Sequence, residues 1–240
     1  MRSIFISTLF VLAGGLFASK VMQEACPDVQ CELFEQAGSW QMQDKQDKKI
    51  TLEWFAVQLH NMSNYSRSLY DLYTPEVRTK VDALAPVYAE SFEEEIGDFF
   101  ALGQTKLPEG YKGQRIIVTA KEADGTVLGF AWFVISGFES LKLENEGISV
   151  PGFLACRAAY LAYLGVVPVA QGRGISSKLI FSIIMILPHI QKILLQTATS
   201  NKQARDVYEH LGFSLVKEVE VGSATYLWDE ASLGSCCVAA

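Results

Sequence analysis

The stretch RAAYLAYLGVVPVAQGRGISSKLIFSIIMILPH, residues 157–189, changes character twice. Up to Val167 it is apolar, aromatic and β-branched, the pattern of a buried strand. After Gly174, the residues Ile175, Leu179, Ile183 and Leu187 recur at near-helical spacing until Pro188 ends the run. Between them lies PVAQGRG. Glycines placed where a strand hands over to a helix can hold an anion, because the first amides of a helix are unpaired and its dipole is positive there. The plainer reading is a tight turn using glycine for positive φ, with no ligand involved. Either way, the segment asks for a mixed α/β architecture.

The rest of the chain supplies the other layers. ITLEWFAVQ from Ile50 reads as a first strand, followed by helical patterns over Ser63–Tyr73 and from Pro75 onward, the second running or restarting as far as Gly103. Thr74 is placed to cap the second helix, with Pro75 as its first residue. RIIVTAKE and TVLGFAWFVISG flank Asp124-Gly125, a hairpin signal. FESLKLENEGISVPG reads as a surface loop. After the helix at Gly174 come the strand KILLQTA, the helix NKQARDVYEHLGF with Gly212 as its stop, and the closing strands SLVKEVEV and ATYLWDE. The order β-α-α-β-β-β-α-β-α-β-β describes a mixed sheet with helices on both faces. Residues 20–49, rich in Gln, Asp and Lys, read as a polar connector to a domain over 50–230, with a flexible tail at 231–240.

With 240 residues, half of them apolar, the chain can build a sizeable core. Its net charge of -7 and pI near 5.1, without a Lys/Arg cluster, argue against nucleic acid and favour cationic partners. Arg2 and the uncharged run from Ile4 to Ala18 have the length and pattern of a secretory signal. Export or membrane anchoring through residues 1–19 is therefore expected, against a buried N-terminal helix in a cytoplasmic protein. Membrane contact is expected only if that segment stays uncleaved. Cys26 and Cys31 could pair after export and would be free thiols otherwise. SCCVAA at the end resembles a prenylation box at Cys237, but a frayed tail of small residues explains it as well. His60, His189 and His210 share no ligand spacing with any cysteine, so no metal site is expected.

VVPVAQGRGIS followed by NKQARDVYEHLGF resembles the GNAT acetyltransferase superfamily. Its first motif, Gln/Arg-x-x-Gly-x-Gly/Ala, is matched by Gln171, Gly172, Arg173, Gly174 and Ile175, with Ser176 where glycine or alanine is usual. The second, Asn-x-x-Ala-x-x-x-Tyr-x-x-x-Gly-Phe, is matched by Asn201, Ala204, Tyr208, Gly212 and Phe213. The resemblance implies a mostly antiparallel sheet of six to seven strands, with a V-shaped splay between the fourth and fifth. It implies acetyl-CoA as cosubstrate, its diphosphate held by amides from Arg173 to Ser177 and by Gly172 and Gly174. The amide of Val166 would face the thioester carbonyl, Asn201 the pantetheine, and the Tyr208 phenol would protonate the departing thiolate.

Asn201 also reads as a helix N-cap, and Tyr208 as a packing residue. The implied acceptor is an amine on a small molecule or peptide. The base that deprotonates it is not legible; Glu122, which closes a central strand, and the acidic run at 90–98, which precedes the hairpin, are the carboxylates weighed. The reading is therefore an acyl-CoA-dependent N-acyltransferase, with a catalytically silent CoA-binding sensor or interaction module as the alternative. An exported hydrolase or adhesin ranks last, because no Ser-His-Asp or paired-carboxylate arrangement stands out.

Overall fold

The computed structural model describes residues 36–59, 75–92, 113–136, 157–218 and 222–230. The signal-like segment, Cys26, Cys31, the helix expected over 63–73, the loop at 138–152 and the tail lie outside the described residues.

Strands β1 (Gln36–Gln43) and β2 (Lys49–Leu59) precede helices α1 (Pro75–Asp82) and α2 (Ala85–Phe92). Next come β3 (Gly113–Lys121), β4 (Val127–Ser136) and β5 (Ala158–Val166), a short 3-10 turn at Pro168–Ala170, and α3 (Ile175–Ile186). β6 (Lys192–Ala198), α4 (Lys202–His210), β7 (Ser214–Glu218) and β8 (Ser223–Asp229) complete the fold. The strands form one sheet in the order β1-β2-β3-β4-β5-β6-β8-β7. Every described pairing is antiparallel except β5 with β6, the pair joined through α3. This is the mixed, mostly antiparallel sheet expected.

Local chemistry explains the central elements. The β3–β4 hairpin closes where Glu122 N donates to Thr126 O at 2.9 Å, while Asp124 Oδ1 accepts from Thr126 N at 2.9 Å. Gly125 takes φ 91 in that turn, a conformation costly for any residue with a Cβ. Side chains of a strand alternate between faces, yet every residue from Leu128 to Ile135 is buried. Such a strand must be covered on both sides. α2 and α3 supply that cover, both packing on β4 and β5. Among the described residues no helix is long and apolar enough to cross a membrane.

One expectation is corrected. Part of the stretch read as a polar connector, Gln36–Gln43, is the sheet's edge strand, paired with β2 from Gln36↔Ala56 to Gln43↔Lys49. The sheet thus has eight strands where six to seven were expected. Its glutamines mask a period of two: Gly38, Trp40 and Met42 are half-buried, while Ala37, Ser39, Gln41 and Gln43 are exposed. Trp40 and Met42 pack against the core.

His189, between α3 and β6, gives the fold an acid-sensitive point. Both ring nitrogens are buried and lack a partner among the described residues. Burial first, and the Arg157 charge second, hold its pKa below the ordinary 6.5. A histidine with a depressed folded pKa favours folding while neutral and loses that contribution as pH falls through the folded value. Thermal unfolding followed from pH 7.5 to 5 should show a downward slope in midpoint that His189→Gln flattens. Equal slopes for both proteins would show that His189 does not titrate against folding.

Candidate active site

The expected V is present. β5 and β6 pair only from Ala158↔Lys192 to Leu161↔Leu195, although β5 runs on to Val166 and β6 to Ala198. The parting coincides with a bulge: Trp132 faces Tyr163 and Phe133 faces Leu161, so Ala162 has no partner on β4. A bulge bends its strand and raises the local twist, which swings the end of β5 away from β6. Beyond it, Val167 N donates to Leu128 O on β4 at 3.0 Å. Strand alternation turns the N–H and C=O of Val166 the opposite way, into the gap toward β6. The Gln171 side-chain amide reaches that carbonyl at 3.4 Å, and its own Oε1 accepts from Gln203 Nε2 of α4 at 3.3 Å.

The loop after β5 leads into α3 through two left-handed glycines, Gly172 at φ 75 and Gly174 at φ 74. Among the described residues nothing lies within 4 Å of where a Cβ on Gly172 would stand, and Gly172 is exposed. Gly174 is the N-cap and brings no side chain to the first amides of α3. A Cβ there would stand 2.9 Å from Lys45 Cγ. Ile175 is 1% exposed and can offer a ligand only its main chain. Ser176 is half-buried in the first turn, and Ser177 Oγ donates back to Gly174 O at 2.8 Å.

The side chain of Arg173 takes a place the sequence did not announce. It turns inward, 6% exposed, with Nε donating to Asp44 Oδ2 at 2.7 Å and Nη1 to Glu122 Oε1 at 2.8 Å. The guanidinium is therefore a brace under the loop, and a diphosphate on the loop could meet only the Arg173 main chain. Its N–H already leans on Ala170 O at 3.4 Å. Asp44 is in turn held by the Gln46 and Lys48 amides, at 2.7 and 3.0 Å on Oδ1. Burial alone would raise its pKa, but the Arg173 hydrogen bond, those two amides and the guanidinium charge hold it below the ordinary 3.8. Glu122, a carboxylate weighed as the acceptor's base, is committed to this brace.

α4 carries the second motif. Asn201 is its N-cap: Oδ1 accepts from Ala204 N at 3.1 Å, which leaves the Nδ2 hydrogens for another partner. Tyr208 lies two turns along, buried at 8% exposure, its ring 5.8 Å from Phe213 and 6.0 Å from Tyr226. Burial alone pushes its phenol up to about 12. Gly212 ends the helix at φ 87, where Phe213 N donates to Tyr208 O at 3.0 Å. Among the described residues no group of three or more His, Cys, Asp and Glu side chains could hold a metal.

A strand pair that parts beside a glycine loop, with a capless helix behind it and a tyrosine helix across the gap, invites comparison with known families. The sequence profile of the acetyltransferase (GNAT) family matches residues 68–213, more than half of the chain. The chain belongs to the GNAT acetyltransferase family. It is an N-acetyltransferase of the GNAT type. Among solved structures, similar ones include the GNAT domain of S. lividans PAT, at 12% identity over 80% of this chain and 96% of that one, with a TM-score of 0.49. A GNAT-family acetyltransferase from Listeria monocytogenes is similar at 14% identity over 79% and 99% of the two chains, with a TM-score of 0.46. Arabidopsis thaliana NAA60, solved with a bisubstrate analogue, is similar at 16% identity over 63% and 92%, with a TM-score of 0.43. No curated protein matches the chain by sequence.

Within this GNAT enzyme, sequence reading missed Asp44 and Gln203. Asp44 sits in DKQDKK, a polar turn like many others, and its partner Arg173 is 129 positions away. Gln203 carries no signal beyond its place in the first turn of α4.

Proposed function

We propose that the chain transfers an acetyl group from acetyl-CoA directly to an amine on a small molecule or peptide. The observation that carries this reading is the gap between β5 and β6, into which the Val166 amide points with no strand paired to it there among the described residues. Such an amide can stabilise the negative charge that develops on a thioester oxygen as an amine attacks, and it is fixed before reaction. Gly172 leaves open backbone, and the first amides of α3 lack a side-chain cap, a donor set suited to a diphosphate. Bound there, acetyl-CoA would supply an activated acyl carbon. Gln171, Gly172, Gly174, Ile175 and Ser176 would line the phosphate end, Asn201 Nδ2 the pantetheine, and Tyr208 would donate a hydrogen bond to the sulfur as it leaves.

Titration calorimetry with CoA tests the first half of this reading. Micromolar binding that weakens with salt is expected, since charge drives it. No heat at millimolar CoA would remove the proposal. Binding without thiol release on any amine in a broad acceptor panel would instead leave a CoA-binding module.

A further inference from the structure

The loop that faces the expected diphosphate has an electrostatic gap. Its one arginine, Arg173, is buried and neutralised by two carboxylates, Asp44 and Glu122, so this cluster carries a net negative charge beneath an anion site. Lys178 stands a full turn inside α3. A diphosphate carries at least two negative charges, and helix amides alone offer only partial positive charge.

The β1–β2 turn brings a cation to this place. Asp44 anchors the turn to Arg173, and the next residue, Lys45, donates its backbone N–H to Arg173 O at 3.0 Å. The Lys45 stem then runs along Gly174, the N-cap of α3. A Cβ at Gly174 would lie 2.9, 3.0 and 3.1 Å from Lys45 Cγ, Cε and Cδ. The glycine is therefore needed for its left-handed φ and also to let this side chain pass. The ammonium, one bond of about 1.5 Å beyond Cε, reaches the entrance of the helix. Lys45 is exposed, and among the described residues no carboxylate pairs with it. The turn lies outside residues 68–213, the part matched by the family profile.

We infer that Lys45 is a diphosphate ligand of the cosubstrate, supplied by the β1–β2 turn in place of the arginine the loop has turned inward. This rests on the acetyl-CoA reading above. Lys45→Ala should raise the dissociation constant for CoA about tenfold, the scale of one charge-assisted hydrogen bond. The same loss is expected with dephospho-CoA, which lacks the ribose phosphate. The KM for acetyl-CoA should rise in parallel with kcat unchanged, and Lys45→Arg should recover most of the affinity. Turnover of acetyl-pantetheine, which has no phosphate, should be the same in wild type and Lys45→Ala. Matching unfolding midpoints would tie the effect to the ligand.

Equal CoA affinity in wild type and Lys45→Ala overturns the inference alone and leaves the transferase reading in place. So does an equal loss with acetyl-pantetheine, or a loss with CoA that dephospho-CoA does not share. A wild-type protein that binds no CoA removes both.

Discussion

Tyr208→Phe is expected to lower kcat about a hundredfold while KM for acetyl-CoA and the unfolding midpoint barely move. The expectation follows from how the ring is held. Phe213 and Tyr226 pack against it, and a phenylalanine keeps those contacts. Burial alone raises the phenol to about 12, well above an ordinary thiol near 8.5. A full proton transfer from such a phenol to a thiolate would run uphill, so the role proposed for it is a hydrogen bond to sulfur as charge builds there. Under the proposed function that bond would be made in the transition state and not in the ground state, so its loss would fall on kcat. The raised pKa also fixes a pH dependence. The phenol stays protonated and competent through pH 10, so no loss of rate below that pH should trace to Tyr208. A kcat within about threefold of wild type in the phenylalanine variant would make Tyr208 a packing residue, and the thiolate would need another donor.

What could be read from the sequence shares one property: the signal is local. Gly172 and Gly174 had to be glycines for their φ, Asp124-Gly125 for its turn, and Asn201 capped the helix that its position announced. The splay between β5 and β6 came only through family likeness, because the bulge at Ala162 that starts it leaves no mark in RAAYLAYLGVV. β1 was missed because glutamine and serine fill its exposed face and hide the half-buried Gly38, Trp40 and Met42. For Arg173 only a main-chain role was expected, and the burial of its side chain was not legible. Nothing near it in sequence shows that Asp44, from an unexpected strand pair, would draw its side chain under the loop. A single sequence records which residue a loop contains, while the direction of its side chain depends on partners far along the chain.

That burial makes Arg173→Met the substitution with the largest combined effect. The unfolding midpoint should fall by about 5–10 °C, and CoA binding should be lost, although the guanidinium lies buried under the loop. Methionine keeps most of the volume, so the effect comes from charge. Without the guanidinium, Asp44 is a buried carboxylate with two amide partners on Oδ1 and none on Oδ2, and Glu122 loses its partner. Uncompensated buried charge is costly, and the loop above it can relieve that cost only by letting water in, which disorders the backbone that would hold the diphosphate. Acid offers a separate readout. In wild type the Asp44 carboxyl is held below 3.8, so its contribution is present above that pH and lost as pH falls through the lower folded value. Removing Arg173 takes away two of the lowering influences and leaves burial, so the acid transition should move to higher pH. Adding Asp44→Asn and Glu122→Gln to Arg173→Met should abolish that acid shift and restore much of the midpoint. If the single variant instead binds CoA as wild type does and keeps its acid transition, the loop holds its shape without the brace.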